Sequence, residues 1–126
     1  MIAIAVFGFA QITLPALAQN STIPEDMGAP IVQGMCGGCH SLSGEIAGME
    51  GPPLKGIVGR RSAAIEGFDY SDALRKLGIV WTPDNLKAFL TNPTKFAPGT
   101  KKIIALKNED RLDEVIAYLA RIQSTH

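Results

Sequence analysis

The sequence predicts an all-α domain of three to five helices joined by long irregular loops. Two observations carry this reading. Capped segments with apolar residues at helical spacing recur without any alternating strand pattern between them. The stretch from 41 to 69 is rich in glycine and holds the Pro52-Pro53 pair, so it forms neither a long helix nor a regular strand.

From Ile2 to Leu14 the chain is almost continuously apolar, and Pro15 and Ala16-Leu17-Ala18 follow, a small-x-small pattern ahead of Gln19. This reads as a secretory signal over 1–18, with a mature domain over 19–126, although no Lys or Arg precedes Lys55 to supply the usual basic start. The run is too short for an uncleaved spanning helix, which needs about 20 residues. No second long apolar run exists, so no membrane span is expected after cleavage. Gln19 to Pro24 is a loose polar leader.

Gly28 to Met35 (GAPIVQGM) is a short apolar segment, and Pro30 fits it only within the first turn of a helix. Ser71 to Leu77 makes a short helix. Thr82-Pro83-Asp84 is a strong helix start, with a hydroxyl cap, proline at the first position and an acid in the first turn. That helix carries Leu86, Phe89 and Leu90 on one face and ends near Asn92-Pro93. The last helix opens at Asn108, buries Leu112, Val115, Ile116 and Leu119, and has Arg121 in its final turn.

The 126 residues are 46% hydrophobic and 19% charged, with 12 basic and 12 acidic side chains. A net charge of zero gives no electrostatic basis for nucleic-acid binding, and the apolar fraction excludes a disordered tail. A single domain of this size needs a cofactor or another staple to complete its core.

Cys36 and Cys39 are the only cysteines, and Cys36-Gly37-Gly38-Cys39-His40 has the spacing of covalent haem attachment. Two thiols so spaced reach neighbouring vinyl groups, and the adjacent imidazole becomes an axial iron ligand. A disulfide or a thioredoxin-like redox pair shares the CxxC, but the strands expected around a redox motif are absent. Zinc needs two more ligands, and the only other histidine is His126.

Around this motif the chain resembles class I cytochrome c of the mitochondrial and bacterial type, from about Gly28 to Leu119. The landmarks occur in order: Gly28 and Val32 before CGGCH, then Gly51-Pro52-Pro53-Leu54-Lys55-Gly56 with Gly59-Arg60, and Gly67-Phe68-Asp69-Tyr70-Ser71. Gly78-Ile79-Val80-Trp81, Leu90-Thr91-Asn92-Pro93, Pro98-Gly99-Thr100-Lys101 and Val115-Ile116-Ala117-Tyr118-Leu119 complete the series. The resemblance implies the class I cytochrome c fold around one covalent haem c.

It also implies residue roles. The Pro52 carbonyl accepts the second ring N–H of His40, fixing its tautomer. Arg60, Tyr70, Trp81 and Thr100 donate to the haem propionates, which are costly to bury without donors; core filling is the simpler role for Trp81, and one side chain can serve both. Leu54, Phe89 and Leu90 line the haem faces. The first and last helices cross through Gly28 and Val32 against Tyr118.

One departure is decisive. Where the family has its distal methionine, after Pro-Gly-Thr-Lys, this chain has Lys102, and no methionine follows Met49. Phe89 also replaces a tyrosine often found in the distal pocket, and the stretch from Lys102 to Arg111 looks one or two residues short. Three readings of the sixth iron site stand open. Lys102, or its neighbour Lys101, supplies a neutral amine; loss of the proton at pH 7 costs about 4.6 kcal/mol from an ordinary pKa near 10.4. Alternatively Lys102 stays protonated and the site is vacant or water-filled, open to NO, CO or peroxide. In the third, the loop repacks and His126 or an outside group approaches. An amine or water favours Fe(III) more than a thioether does, so a potential below that of His/Met relatives is expected.

From Thr91 to Asn108 the chain has Lys95, Lys101, Lys102 and Lys107 and no acid, whereas 19–50 has Glu25, Asp26, Glu45 and Glu50 and no base. This polarity points to transient docking of an acidic redox protein partner, a reductase, dehydrogenase or oxidase, near the Lys95–Lys107 segment; a solvated basic face is the simpler reading of any one lysine. The resulting expectation is an exported, periplasmic, monomeric electron carrier rather than an enzyme. A haem-based sensor of NO or CO, or a peroxidatic protein with an open distal site, is the alternative. A third option is a dedicated acceptor for one periplasmic dehydrogenase.

Overall fold

The computed structural model describes residues 27–123, together with Ala3, Ala5 and Gly8. The rest of the expected signal segment, the polar leader and His126 lie outside the described residues. Five helices follow in order: α1 (Gly28–Met35), α2 (Asp72–Leu77), α3 (Pro83–Thr91), α4 (Pro93–Phe96) and α5 (Glu109–Arg121). Among the described residues there is no strand, only one antiparallel bridge between Arg61 and Val80. None of these helices is long and apolar enough to cross a membrane.

The helix ends follow from their side chains. Thr82 accepts the Asn85 N–H while the Asn85 side chain accepts the Thr82 N–H, a reciprocal cap ahead of Pro83. Ser71 caps α2, which stops at Gly78 with φ of 64°, a left-handed turn that favours glycine. Asn108 caps α5 by accepting the Arg111 N–H. The end of α3 is a restart as well as a stop: Asn92 accepts the Lys95 N–H, and Pro93 opens the single turn α4. The sequence pattern showed only the stop there.

Helices α1 and α5 cross at their closest point through Gly28. A Cβ built there would lie 2.2 Å from the Glu114 carbonyl oxygen and 2.6 Å from Tyr118 Cβ, so only glycine allows this approach. Val32, Leu112, Val115 and Leu119 fill the space behind it, and Leu86 and Phe89 of α3 close the core from the other side. Trp81, Phe89 and Phe96 form an aromatic trio with centroids 5.1–6.1 Å apart.

The long loop from 36 to 71 is irregular but well bonded. Ser41 Oγ accepts the N–H groups of Ser43, Gly44 and Glu45, and the Gly56 N–H reaches the Ile122 carbonyl at the end of α5. The Trp81 N–H donates to the Arg60 carbonyl and the Gly59 N–H to the Trp81 carbonyl, each at 2.8 Å. The loop therefore holds a fixed course without a ladder of its own.

Candidate cofactor site

Cys36 sits at the C-terminal cap of α1, where its N–H still bonds the Val32 carbonyl. The N–H groups of Cys39 and His40 both return to the Cys36 carbonyl, at 3.1 and 2.9 Å. One tight turn thus carries both thiols and the imidazole. Neither cysteine is in a disulfide.

The His40 ring is held from behind. Its Nδ1 lies 2.7 Å from the Pro52 carbonyl oxygen, an acceptor only, so Nδ1 carries the proton and Nε2 keeps its lone pair. Gly51 makes room for the ring, and its N–H is tied to the Cys39 carbonyl at 2.8 Å. Burial pushes the His40 pKa down, against the Pro52 bond that raises it, and the charge on Lys102 pushes the same way as burial. The imidazole is therefore kept neutral and able to donate to a metal.

Lys102 is electrostatically coupled to more than His40. Burial raises the Cys36 thiol pKa while Lys102 lowers it, and at Cys39 a hydrogen bond to Glu50 is the main raising influence, again opposed by Lys102. Burial in turn lowers the pKa of Lys102, and the two thiols oppose that shift. The half-buried Lys102 charge thus acts on both thiols and on the imidazole of the attachment turn. Lys101 turns the other way, its Nζ 2.9 Å from Asp69 Oδ2 on the surface.

Three of the four residues expected to serve the carboxylates of a cofactor are linked to one another. Tyr70 and Arg60 interact electrostatically, and Arg60 is joined to Trp81 through the backbone. Tyr70 is buried and its oxygen accepts the Ile65 N–H; burial raises the phenol pKa, which keeps its proton available to donate. Trp81 is buried, and Ser62, two residues beyond Arg60, has a buried hydroxyl without a partner. An unclaimed buried hydroxyl two residues from Arg60 fits a bound group bearing carboxylates.

Arg60 is partly committed already, donating to the Pro53 carbonyl at 2.7 Å and to the Lys55 carbonyl. It ties the loop as well as supplying charge. Thr100 is buried and accepts the Lys102 N–H at 3.3 Å. Phe89 is buried within the aromatic trio, whereas Leu54 and Leu90 are half-buried at the edge of the core.

Three contributors were not assigned roles from the sequence. Gly51 was visible as part of the Gly-Pro-Pro run, but its contact with the His40 ring exists only in space. Phe96 lies on the unforeseen α4, and Asp69 gave no signal that it would hold Lys101.

Comparison with known proteins agrees with this geometry. The family description Cytochrome c matches residues 26–123. Cytochrome c type-1 of Ascaris suum is 42% identical over 101 residues, covering 77% of this chain and 89% of its own length. Cytochrome c2 of Blastochloris viridis is 36% identical over 120 residues, 94% of this chain and 91% of its own. Among solved structures, cytochrome cH from Methylobacterium extorquens matches with a TM-score of 0.66 and 34% identity, covering 74% of this chain and 94% of that one. With the attachment turn, the braced imidazole and these relatives in agreement, the chain belongs to the cytochrome c family, whose members carry one covalent haem c and act as electron carriers rather than enzymes.

Proposed function

We propose that this chain is an exported, monomeric, single-haem electron carrier with an unusual distal ligand. Cys36 and Cys39 hold the haem through thioethers, His40 supplies the proximal imidazole and Lys102 the distal amine. Arg60, Tyr70, Trp81 and Thr100 donate to the propionates, and Leu54, Phe89 and Leu90 line the haem faces. The bound haem contributes a one-electron Fe(III)/Fe(II) couple. The observation that carries the reading is the commitment of His40 Nδ1 to Pro52 at 2.7 Å, which leaves Nε2 for iron, while the neighbouring half-buried amine is that of Lys102.

A hard amine in place of a thioether places the potential below that of His/Met relatives. Docking of a redox protein falls on the Lys95–Lys107 segment. Ile103 and Ile104 are 77% and 62% exposed there, and Lys95 and Lys107 flank them in the sequence, so exposed apolar side chains fall within a basic segment. Lys101 contributes less to this field because Asp69 neutralises it. Cleavage after Ala18 delivers the domain to the periplasm.

One observation favours a second reading of the distal side. Lys102 Nζ donates to the Ile104 carbonyl at 2.5 Å, so the amine has a partner within its own loop. If that bond persists in the holoprotein, the site stays open to NO, CO or peroxide. The ferric spectrum of purified holoprotein separates the two. A low-spin spectrum that becomes high-spin in Lys102→Ala supports lysine ligation; a high-spin wild type with rapid CO binding after reduction supports the open site. Mature protein without a Soret band would refute both.

A further inference from the structure

The two lysines that end the Pro-Gly-Thr-Lys-Lys run are neighbours in sequence with opposite fates. Their Cα atoms are separated by about 3.8 Å, as in any trans peptide, which is well within the reach of a four-carbon stem. Sequence position alone therefore does not decide which amine approaches a metal. Lys101 Nζ, however, is held by two acceptors of one residue: Asp69 Oδ2 at 2.9 Å and the Asp69 carbonyl oxygen at 3.3 Å.

Asp69 is itself braced. Arg75 Nη2 donates to its other carboxylate oxygen at 3.1 Å, and Arg75 Nε donates to the Tyr70 carbonyl at 3.2 Å, fixing the turn to α2. The same loop meets α2 again at Gly99, whose φ is 92° and where a built Cβ would lie 3.7 Å from Ala73 Cβ. The segment that delivers Lys102 is thus moored on one side, and its mooring consumes Lys101.

We infer that Asp69 is a positioning residue that selects the distal amine: by tethering Lys101 on the outer face, it leaves Lys102 as the lysine presented to the haem site. The inference rests on the His40/Lys102 reading above. Proton loss is demanded of either amine and does not choose between them; the partners do, since Lys101 Nζ is held to Asp69 in a separate segment of the chain, whereas the Lys102 Nζ bond to the Ile104 carbonyl stays within its own loop and moves with it. The ion pair is exposed, so the expected bias is about threefold to fivefold rather than absolute.

Ferric spectra of full-length holoproteins at one fixed pH test it. Lys102→Ala alone should be mainly high-spin, because Lys101 remains tethered. Adding Asp69→Asn should raise the low-spin fraction about threefold to fivefold, and adding Lys101→Arg to that pair should remove the gain, since a guanidinium does not ligate iron. Melting curves of each holoprotein separate ligand exchange from simple loosening of the loop. If Lys102→Ala/Asp69→Asn stays as high-spin as Lys102→Ala, loop geometry alone directs the lysines and Asp69 selects nothing. If Lys102→Ala is still low-spin and only Lys101→Ala/Lys102→Ala becomes high-spin, Lys101 binds past its tether and the inference fails. Low-spin signals in that double variant overturn the lysine reading itself, and the selection with it.

Discussion

Gly51 and His40 occupy one space: a Cβ built on Gly51 would lie 2.2 Å from Cε1, 2.4 Å from Nδ1 and 2.7 Å from Nε2 of the imidazole. No rotation of a methyl relieves three such contacts, and the ring is the movable partner. Its movement breaks the 2.7 Å bond to Pro52. Gly51→Ala should therefore displace the imidazole, and loss of an outer-shell partner weakens a metal ligand by about 10–100-fold. The expected result is a lower holoprotein yield and a mixed-spin ferric spectrum. A spectrum and yield equal to wild type would show that the ring has slack.

Gly28 is constrained differently, because the nearest atom to its built Cβ is backbone, the Glu114 carbonyl oxygen at 2.2 Å. Alanine favours a helix by up to about 1 kcal/mol over glycine, but here it must push α5 away. The clash wins, and Gly28→Ala should destabilise by about 1–3 kcal/mol. For a domain near this size, each kcal/mol lowers Tm by about 4–8 °C. Gly34 on the same helix has nothing within 4 Å of its built Cβ, so Gly34→Ala is the control and should be neutral or stabilising. Equal melting of the two variants would contradict the close crossing.

These two glycines show where the sequence was legible and where it was not. Gly28 is read from local pattern plus resemblance, because a helix pairing repeated through a family leaves its mark on the motif. The CGGCH turn, Thr82 and Asn108 are legible because spacing and cap chemistry act within a few residues. The grip of Gly51 on His40, the Arg60 bonds to the Pro53 and Lys55 carbonyls, and the Asp69–Lys101 pair connect segments through the folded loop. No short-range rule encodes them. Helix α4 leaves no mark in the sequence pattern because Asn92-Pro93 is a stop signal for one helix and a start signal for the next, and a single turn has no periodicity to betray it.

Glu45 provides a pH signature remote from the iron site. Hydroxyl donation by Ser41 and then Ser43, with its own N–H, pulls its pKa from 4.5 to about 2. A carboxylate whose folded pKa is depressed contributes stability above the unfolded value, and that contribution is lost as pH falls through the folded one. The window is therefore about pH 4.5 down to about 2. Glu45→Gln should lower the urea midpoint at pH 7 while converging with wild type near pH 2. Because the group is exposed, added salt should shrink the difference. Parallel pH profiles for the two proteins would remove Glu45 as a contributor to acid unfolding.

Lys102 carries the last prediction, because its replacement changes ligand, proton and potential together. An amine binds iron only when neutral, and burial already lowers its pKa, so the bond exists above an apparent pKa and is lost as pH falls through it. Wild-type ferric protein should accordingly convert from low-spin to high-spin on acidification in a step that Lys102→Met lacks. The thioether of Lys102→Met favours Fe(II), and the midpoint potential should rise by on the order of 100–200 mV, a modest part of the roughly 0.8 V that axial ligands span. Lys102→Ala removes the donor without replacing it and should bind CO rapidly after reduction. Direct voltammetry of the three proteins decides the matter. If Lys102→Met has the wild-type potential and the wild-type acid step, the amine is not on the iron.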